Sequence, residues 1–370
     1  MLLLRRARRT AVPAALAAGL VLALAACGGG ADTAGGSSAD TLDPNADLSK
    51  QKLTVSNWDG YMPEDLPAKF KAAKGSAVTV TKHATNEEIM AKLTAGGDSG
   101  IDVAFVSGQF AQALAEQGLV EPIHADLVPN LKNLYPEAGQ LAYDKGNKYS
   151  VPYTWGTTGL CYRTDLTGYT PDSWEDLLSP KPQLAKKVTM MATERWLMLP
   201  AQKSLGFSAN TTDAEQLEQV KQKLLAAKKT LLAYDDTTFG DRLKSGEAAL
   251  VEAWDGWCPT DDPRIKFVVP KEGSDLWVDT MVVLKTSKNK EAAHAFINYI
   301  LDPDNHSWAA ANILYKVPNG AAMAKVDAKL LETHPQLRTA PADLLKGEVP
   351  VDLGDAAPVY TRIATEVSAS

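Results

Sequence analysis

From residue 52 onward, short apolar runs alternate with amphipathic stretches. The run at 52–56 predicts a strand that ends in the loop Asn57-Trp58-Asp59-Gly60-Tyr61. Pro63 suits the first turn of a helix reaching about Ala73, with Gly75 as its stop. A strand is expected at 78–81, then a helix capped by Asn86 with Ile89, Met90 and Leu93 on one face. The compact apolar run at 101–106 reads as a buried strand, followed by Ser107-Gly108 and a helix over 109–117. The stretch 148–158 breaks the rhythm and leads into a strand at 159–163. Beyond it, a short capped helix is expected at 172–177, and a Thr212/Glu215 capping box ahead of a helix to about Lys229. Strands at 248–254, 265–269 and 281–284 and a helix at 291–301 complete the pattern. This alternation predicts an α/β fold.

The first 27 residues follow a different pattern. A basic stretch, MLLLRRARRT, precedes an apolar run that is shorter than the roughly 20 residues a membrane span needs. The run ends in Leu24-Ala25-Ala26-Cys27-Gly28, which resembles a bacterial lipobox. Residues 1–26 are therefore expected to be a lipoprotein signal peptide, with Cys27 lipidated. An ordinary secretory signal that happens to hold a cysteine is the alternative. Residues 27–51 are rich in Gly, Ser, Ala and Asp and read as a flexible tether. The folded part is expected outside the cytoplasm, lipid-anchored at the outer face of the cytoplasmic membrane or in the periplasm.

Charge sharpens this picture. The chain holds 38 basic and 45 acidic side chains, a net of −7. Four arginines and no acid precede Cys27, so the exported part is more acidic still. That balance excludes nucleic acid as a partner and makes a cationic ligand worth seeking. In an oxidising compartment Cys161 and Cys258 are either bonded or two buried thiols. The five histidines are scattered, no HExxH, GxSxG, P-loop or GxGxxG occurs, and neither a metal nor a cofactor is expected.

Chemistry-bearing residues gather at segment ends. Trp58 and Tyr61 follow one strand, and Ser107 follows another. Tryptophan and aspartate lie close together at 58/59, 254/255 and 277/279. Any single tryptophan is more often core, but an aromatic face attracts a cation by roughly 0.5–2 kcal/mol. A neighbouring carboxylate adds a charge-assisted hydrogen bond to an ammonium. The combination suits an amine with an aliphatic chain.

SNWDGYMPEDLPAKF, IDVAFVSG, YSVPYTWGTTG, VEAWDGW, VPKEGSDLWVD, KNKEAAHAFINYILDPDN and LYKVPNG occur in an order and spacing that resembles the bacterial polyamine-binding proteins of ABC importers. The resemblance runs from about Leu53 to Asp355. It implies a two-lobed periplasmic-binding-protein fold, each lobe a mixed sheet flanked by helices, joined by crossing strands. One lobe would be 52–157 with 278–322, the other 158–277 with 323–370. Trp58, Asp59, Tyr61, Ser107, Trp254, Asp255, Trp277, Asp279 and Tyr315 are the expected ligand-binding residues, with Asp279 gripping an amine. Gln109 and Glu194 are secondary candidates.

Departures from the family pattern fall at the far end of the site. Gln109 stands where a tyrosine is expected, Pro350 where a glutamine is expected. Thr193 and Trp196 stand where the family offers two carboxylates, leaving Glu194, Asp255 or Glu252 as substitutes. The resemblance implies a monomeric receptor, not an enzyme, whose partners are an ABC permease and its ATPase, with a lipid at the membrane. The same fold with another small solute, and more remotely a secreted enzyme, are the competing readings.

Overall fold

The computed structural model describes residues 42–369. The segment expected to be a signal peptide and Cys27, the expected lipidation site, lie outside the described residues. Leu42 is buried, and Asp47 caps a single turn at Leu48–Lys50 through its bond to the Ser49 N–H. The Gln51 side chain meets Glu291 and the Ala292 N–H. Residues 42–51, expected as the end of a tether, thus touch the folded body through Leu42, Leu48 and Gln51, while most of their other side chains are exposed.

Among the described residues, ten strands divide between two sheets. The first contains β1 (Lys52–Asn57), β2 (Ala77–Lys82), β3 (Val103–Ser107) and β4 (Val151–Gly156). The second contains β5 (Thr158–Arg163), β6 (Val188–Met190), β7 (Ala233–Tyr234), β8 (Leu250–Trp254) and β9 (Ile265–Val268). The chain then returns, and β10 (Trp277–Val283) inserts into the first sheet. Strand orders are β2-β1-β3-β10-β4 and β7-β6-β8-β5-β9. Each sheet combines parallel pairs with one antiparallel strand pairing on both its edges, β10 in the first and β5 in the second. These are two mixed sheets flanked by helices, the two-lobed architecture expected.

Local chemistry explains the differences from the sequence reading. The stretch 148–158 is not an interruption: it contains β4, every residue of which is buried. A strand buried on both faces loses the alternation that would betray it. Strand β10 begins at Trp277 rather than 281, so Trp277 and Asp279 lie inside a strand. Thr85, not Asn86, caps the helix Asn86–Thr94, its side chain accepting from the Glu88 N–H. Asp213 likewise replaces Thr212 as the cap of the helix Ala214–Lys228.

The cores follow the sheets. Phe70 and Phe296 meet edge to face at 5.2 Å beneath the first sheet. Leu160, Leu250 and Trp174 anchor a second core. After Ala322 the chain packs first on the β1–β4 side, through Val326 and Leu344, then crosses to the other, where Tyr360, Ile363 and Val367 join the second core. Cys161 in β5 is bonded to Cys258, just beyond β8.

Candidate ligand cleft

The register of the first sheet brings one acid and its donors together. Strand β10 runs antiparallel between β3 and β4, placing Asp279 opposite Ser107 on one side and Thr154 on the other. The ladder shifts register between Asp279 and Thr280, an irregularity of the kind that re-aims a side chain. Ser107 Oγ donates to Asp279 Oδ1 at 2.7 Å, and the Tyr61 hydroxyl donates to Oδ2 at 2.5 Å. Thr154 Oγ1 lies 2.9 Å from that same hydroxyl. Asn86 braces Ser107 from behind, accepting its N–H at 2.9 Å and donating to its Oγ at 3.1 Å.

These donors are all uncharged. Burial pushes the Asp279 carboxyl above the usual range, and the hydrogen bonds from Tyr61, Ser107 and Thr154 oppose that shift. Burial, and after it the Asp279 charge, pushes the Tyr61 phenol well up, so it remains a donor. No cation of the described residues contributes to Asp279. The site therefore holds an acid for which none of the described residues supplies a counter-charge.

Asp279 opens onto a cavity of about 360 Å³ lined from both sheets. Aromatic rings form a continuous wall across it. Trp58 meets Tyr61 at 5.2 Å, and Tyr61 meets Tyr315 at 6.3 Å. Trp277 packs on Tyr315 at 4.5 Å, and Trp257 stacks on Tyr315 at 5.9 Å. From Trp257 the chain of contacts continues to Trp254 and then Trp196, each step 5.5 Å and near perpendicular. Such rings present their negative faces to a cation and apolar area to a methylene chain. Gly156 is required beside them: a Cβ there would collide with the Trp277 ring and the Asp255 carboxylate.

Of the residues expected from sequence, Trp58, Tyr61, Ser107, Trp254, Trp277, Asp279 and Tyr315 line this one cavity, as do Gln109 and Glu194. Asp59 reaches only the rim, where it is largely exposed and pairs with Lys82 at 2.5 Å. Asp255, expected from sequence to bind ligand, is placed elsewhere. It does not line the cavity; its carboxylate is buried against Lys316, whose charge offsets the cost of burial. Glu252 is also turned inward, accepting the Met191 N–H at 3.0 Å in the second lobe's interior. Of the three substitutes considered for the far end, only Glu194 faces the cavity. It accepts from Thr361 Oγ1 at 2.8 Å, and burial and the nearby Glu87 charge raise its pKa.

Trp257 was missed, although the second tryptophan of WDGW was its visible signal. Trp196, a departure from the family pattern, nonetheless forms the second lobe's wall with its ring. Arg195 borders the cavity, but its guanidinium donates to the Val351 and Ala209 carbonyls and to Asn210 Oδ1. Its donors are thus engaged within the second lobe. Among the described residues, no group of three or more His, Cys, Asp and Glu could hold a metal ion.

Known proteins share this architecture. The family described as bacterial extracellular solute-binding protein matches residues 65–338. The spermidine/putrescine-binding periplasmic protein 1 of Haemophilus influenzae is 32% identical over 319 residues, 85% of this chain and 88% of that one. A putrescine/cadaverine-binding protein of Pseudomonas aeruginosa is 32% identical over 289 residues, 74% and 81% of the two chains. Among solved structures, the spermidine/putrescine substrate-binding protein PotD of Streptococcus pneumoniae superposes with a TM-score of 0.75 at 27% identity, covering 86% of this chain and 99% of that one. The TpPotD lipoprotein of Treponema pallidum reaches 0.77 at 26% identity, covering 86% and 100%. With the two-sheet architecture and the cleft described above, these matches place the chain in the bacterial extracellular solute-binding protein family, among relatives named for spermidine and putrescine.

Proposed function

We propose that this protein is the extracytoplasmic receptor of an ABC importer, anchored by a lipid on Cys27, and that it captures a polyamine-class amine between its lobes. The observation that carries this reading is Asp279, a carboxylate held by neutral hydroxyls and facing an aromatic cavity. An ammonium supplies the missing counter-charge and donates to the lone pairs that Ser107 and Tyr61 leave free. The methylene chain lies against the rings of Tyr315, Trp257 and Trp254. No bond is made or broken; the chemistry is capture, closure and release to a permease driven by its ATPase.

The lobes, one on each sheet, close on a ligand that both of them touch. The segment after Ala322, expected wholly in the second lobe, packs first on the first through Val326 and Leu344 and joins the second through Tyr360, Ile363 and Val367. A ligand favours closure only through its higher affinity for the closed form. The names of the relatives support the ligand class, and the missing carboxylates at Thr193 and Trp196 narrow it towards amines that need one strong acidic anchor.

The test is thermal stabilisation of the full chain in detergent by putrescine, cadaverine, spermidine and agmatine, with betaine, amino acids and sugars alongside. At a concentration 100-fold above Kd a ligand adds about 2.7 kcal/mol, a clear rise in melting temperature. A shift with one or more of these amines is expected. If only a non-amine shifted the melt, the receptor role would stand and the ligand class would fall.

A further inference from the structure

Trp196 forms the second lobe's end of the aromatic wall, yet it starts in the first turn of the helix Glu194–Ser204, where a long side chain has several rotamers open to it. What holds it is not its own helix. The indole Nε1–H donates to Asp275 Oδ2 at 3.0 Å. Asp275 is 2% exposed and lies two residues before β10, in the connection that carries the chain back to the first sheet. Its other oxygen, Oδ1, accepts the backbone N–H of Thr158 at 2.8 Å. Thr158 opens β5, so it marks the other connection between the sheets, separated from β4 by Thr157 alone.

The two connections are latched around this carboxylate. Thr157 Oγ1 donates to the Asp275 carbonyl at 2.8 Å, and Ser274 Oγ donates to the Thr158 carbonyl at 2.6 Å. Those bonds join the crossing segments to each other without the Asp275 side chain. A buried carboxylate is costly where an apolar residue would pack freely. What it adds here is two acceptors on one rigid group, one for the crossing strand and one for the indole.

We propose that Asp275 is a positioning residue for ligand capture: it fixes the Trp196 indole to the inter-lobe connections, so the second-lobe wall is set before a ligand arrives. The proposal rests on reading the cleft as the amine site. Holding the ring in its working orientation removes an ordering cost from binding. It also makes the wall move as one body with the crossing segments during closure.

A double-mutant cycle tests this in the full chain, with putrescine as the calorimetric probe. Asp275→Asn keeps the shape but cannot accept from both Thr158 and the indole. Trp196→Phe keeps an aromatic face and removes the N–H. Asp275→Asn is expected to weaken putrescine binding by about ten-fold, the factor of one charge-assisted hydrogen bond. In the Trp196→Phe background the same change is expected to have no further effect. An equal loss in both backgrounds would show that Asp275 only supports the connections, and would overturn the proposal.

A second measurement needs no variant at position 275 and no bound amine. In ligand-free protein labelled with 15N-tryptophan, the indole resonance that vanishes in Trp196→Phe is expected to be protected from hydrogen exchange. Rapid exchange of that N–H would overturn the proposal even if every amine bound. Conversely, a protected indole in a protein that binds no amine would keep the anchoring of the wall while the amine reading fell.

Discussion

Asp279 gives the cleft a sign that pH can read. The free carboxyl sits above the ordinary carboxylate range because it is buried, while its donors Ser107, Tyr61 and Thr154 stay neutral across the working range. A primary ammonium stays protonated well above neutrality. As pH falls through the Asp279 pKa, the empty site takes up a proton that an incoming ammonium must displace. Affinity is therefore expected to be flat above that pKa and to fall below it, approaching ten-fold per pH unit. Asp279→Asn should lose about 100-fold in amine affinity at pH 7, within the range for removing one partner of a buried charge pair. It should melt like the parent and lose the acid-side slope; calorimetry at several pH values reads both. Asp279 was legible in sequence because it stands beside Trp277 in a recognisable block. Asp255 carries the same signature beside Trp254 but is used differently. Its partner Lys316 lies 61 positions away, and no local pattern shows which way a side chain turns.

At the scale of elements, the segment from Trp254 to Cys258 supplies two rings to the wall and ends in the bond to Cys161. Only a short turn, Asp255–Trp257, lies between β8 and that bond. The disulfide, between residues 97 positions apart, restricts the unfolded chain and also pins this turn. Cys161→Ala with Cys258→Ala is expected to cost about 2–4 kcal/mol of stability in denaturant melts. It should also weaken amine binding, because the Trp257 ring loses the tether that keeps it stacked on Tyr315. Unchanged affinity in a destabilised variant would show that the stacking alone holds the ring. Most elements were legible from spacing and breakers, including β1, β3 and the helix Lys290–Ile300. β4 was not, since a strand buried on both faces carries no alternation. The helix cap moved from Asn86 to Thr85 because Asn86 is engaged with Ser107 across the fold, a contact that no local rule contains.

For the whole molecule, the two sheets are joined where Lys316 meets Asp255. Lys316 bridges to Trp155 at the end of β4, its carbonyl accepting the Trp155 N–H at 3.0 Å. Asp255 follows β8 in the other sheet, and its N–H donates to the Thr157 carbonyl at 3.0 Å. Their side chains form an ion pair of which 3% and 1% respectively are exposed, and Lys316 Nζ also donates to the Gln336 carbonyl at 3.2 Å. The pair thus crosses between the lobes behind the ligand wall, beside Gly156 and Trp277. Buried pairs add little net stability over a well-packed apolar pair, but losing one partner strands the other charge. Lys316→Met alone is therefore expected to cost about 3–5 kcal/mol, and the double variant Lys316→Met with Asp255→Leu to recover more than half of that. The readout is the denaturant midpoint of each variant. If the pair also sets the rest angle of the lobes, the double variant should fold yet differ from the parent in radius of gyration without ligand. Solution X-ray scattering with and without putrescine measures that difference. An unchanged radius in the folded double variant would confine the pair to stability and leave the opening of the cleft to the crossing segments alone.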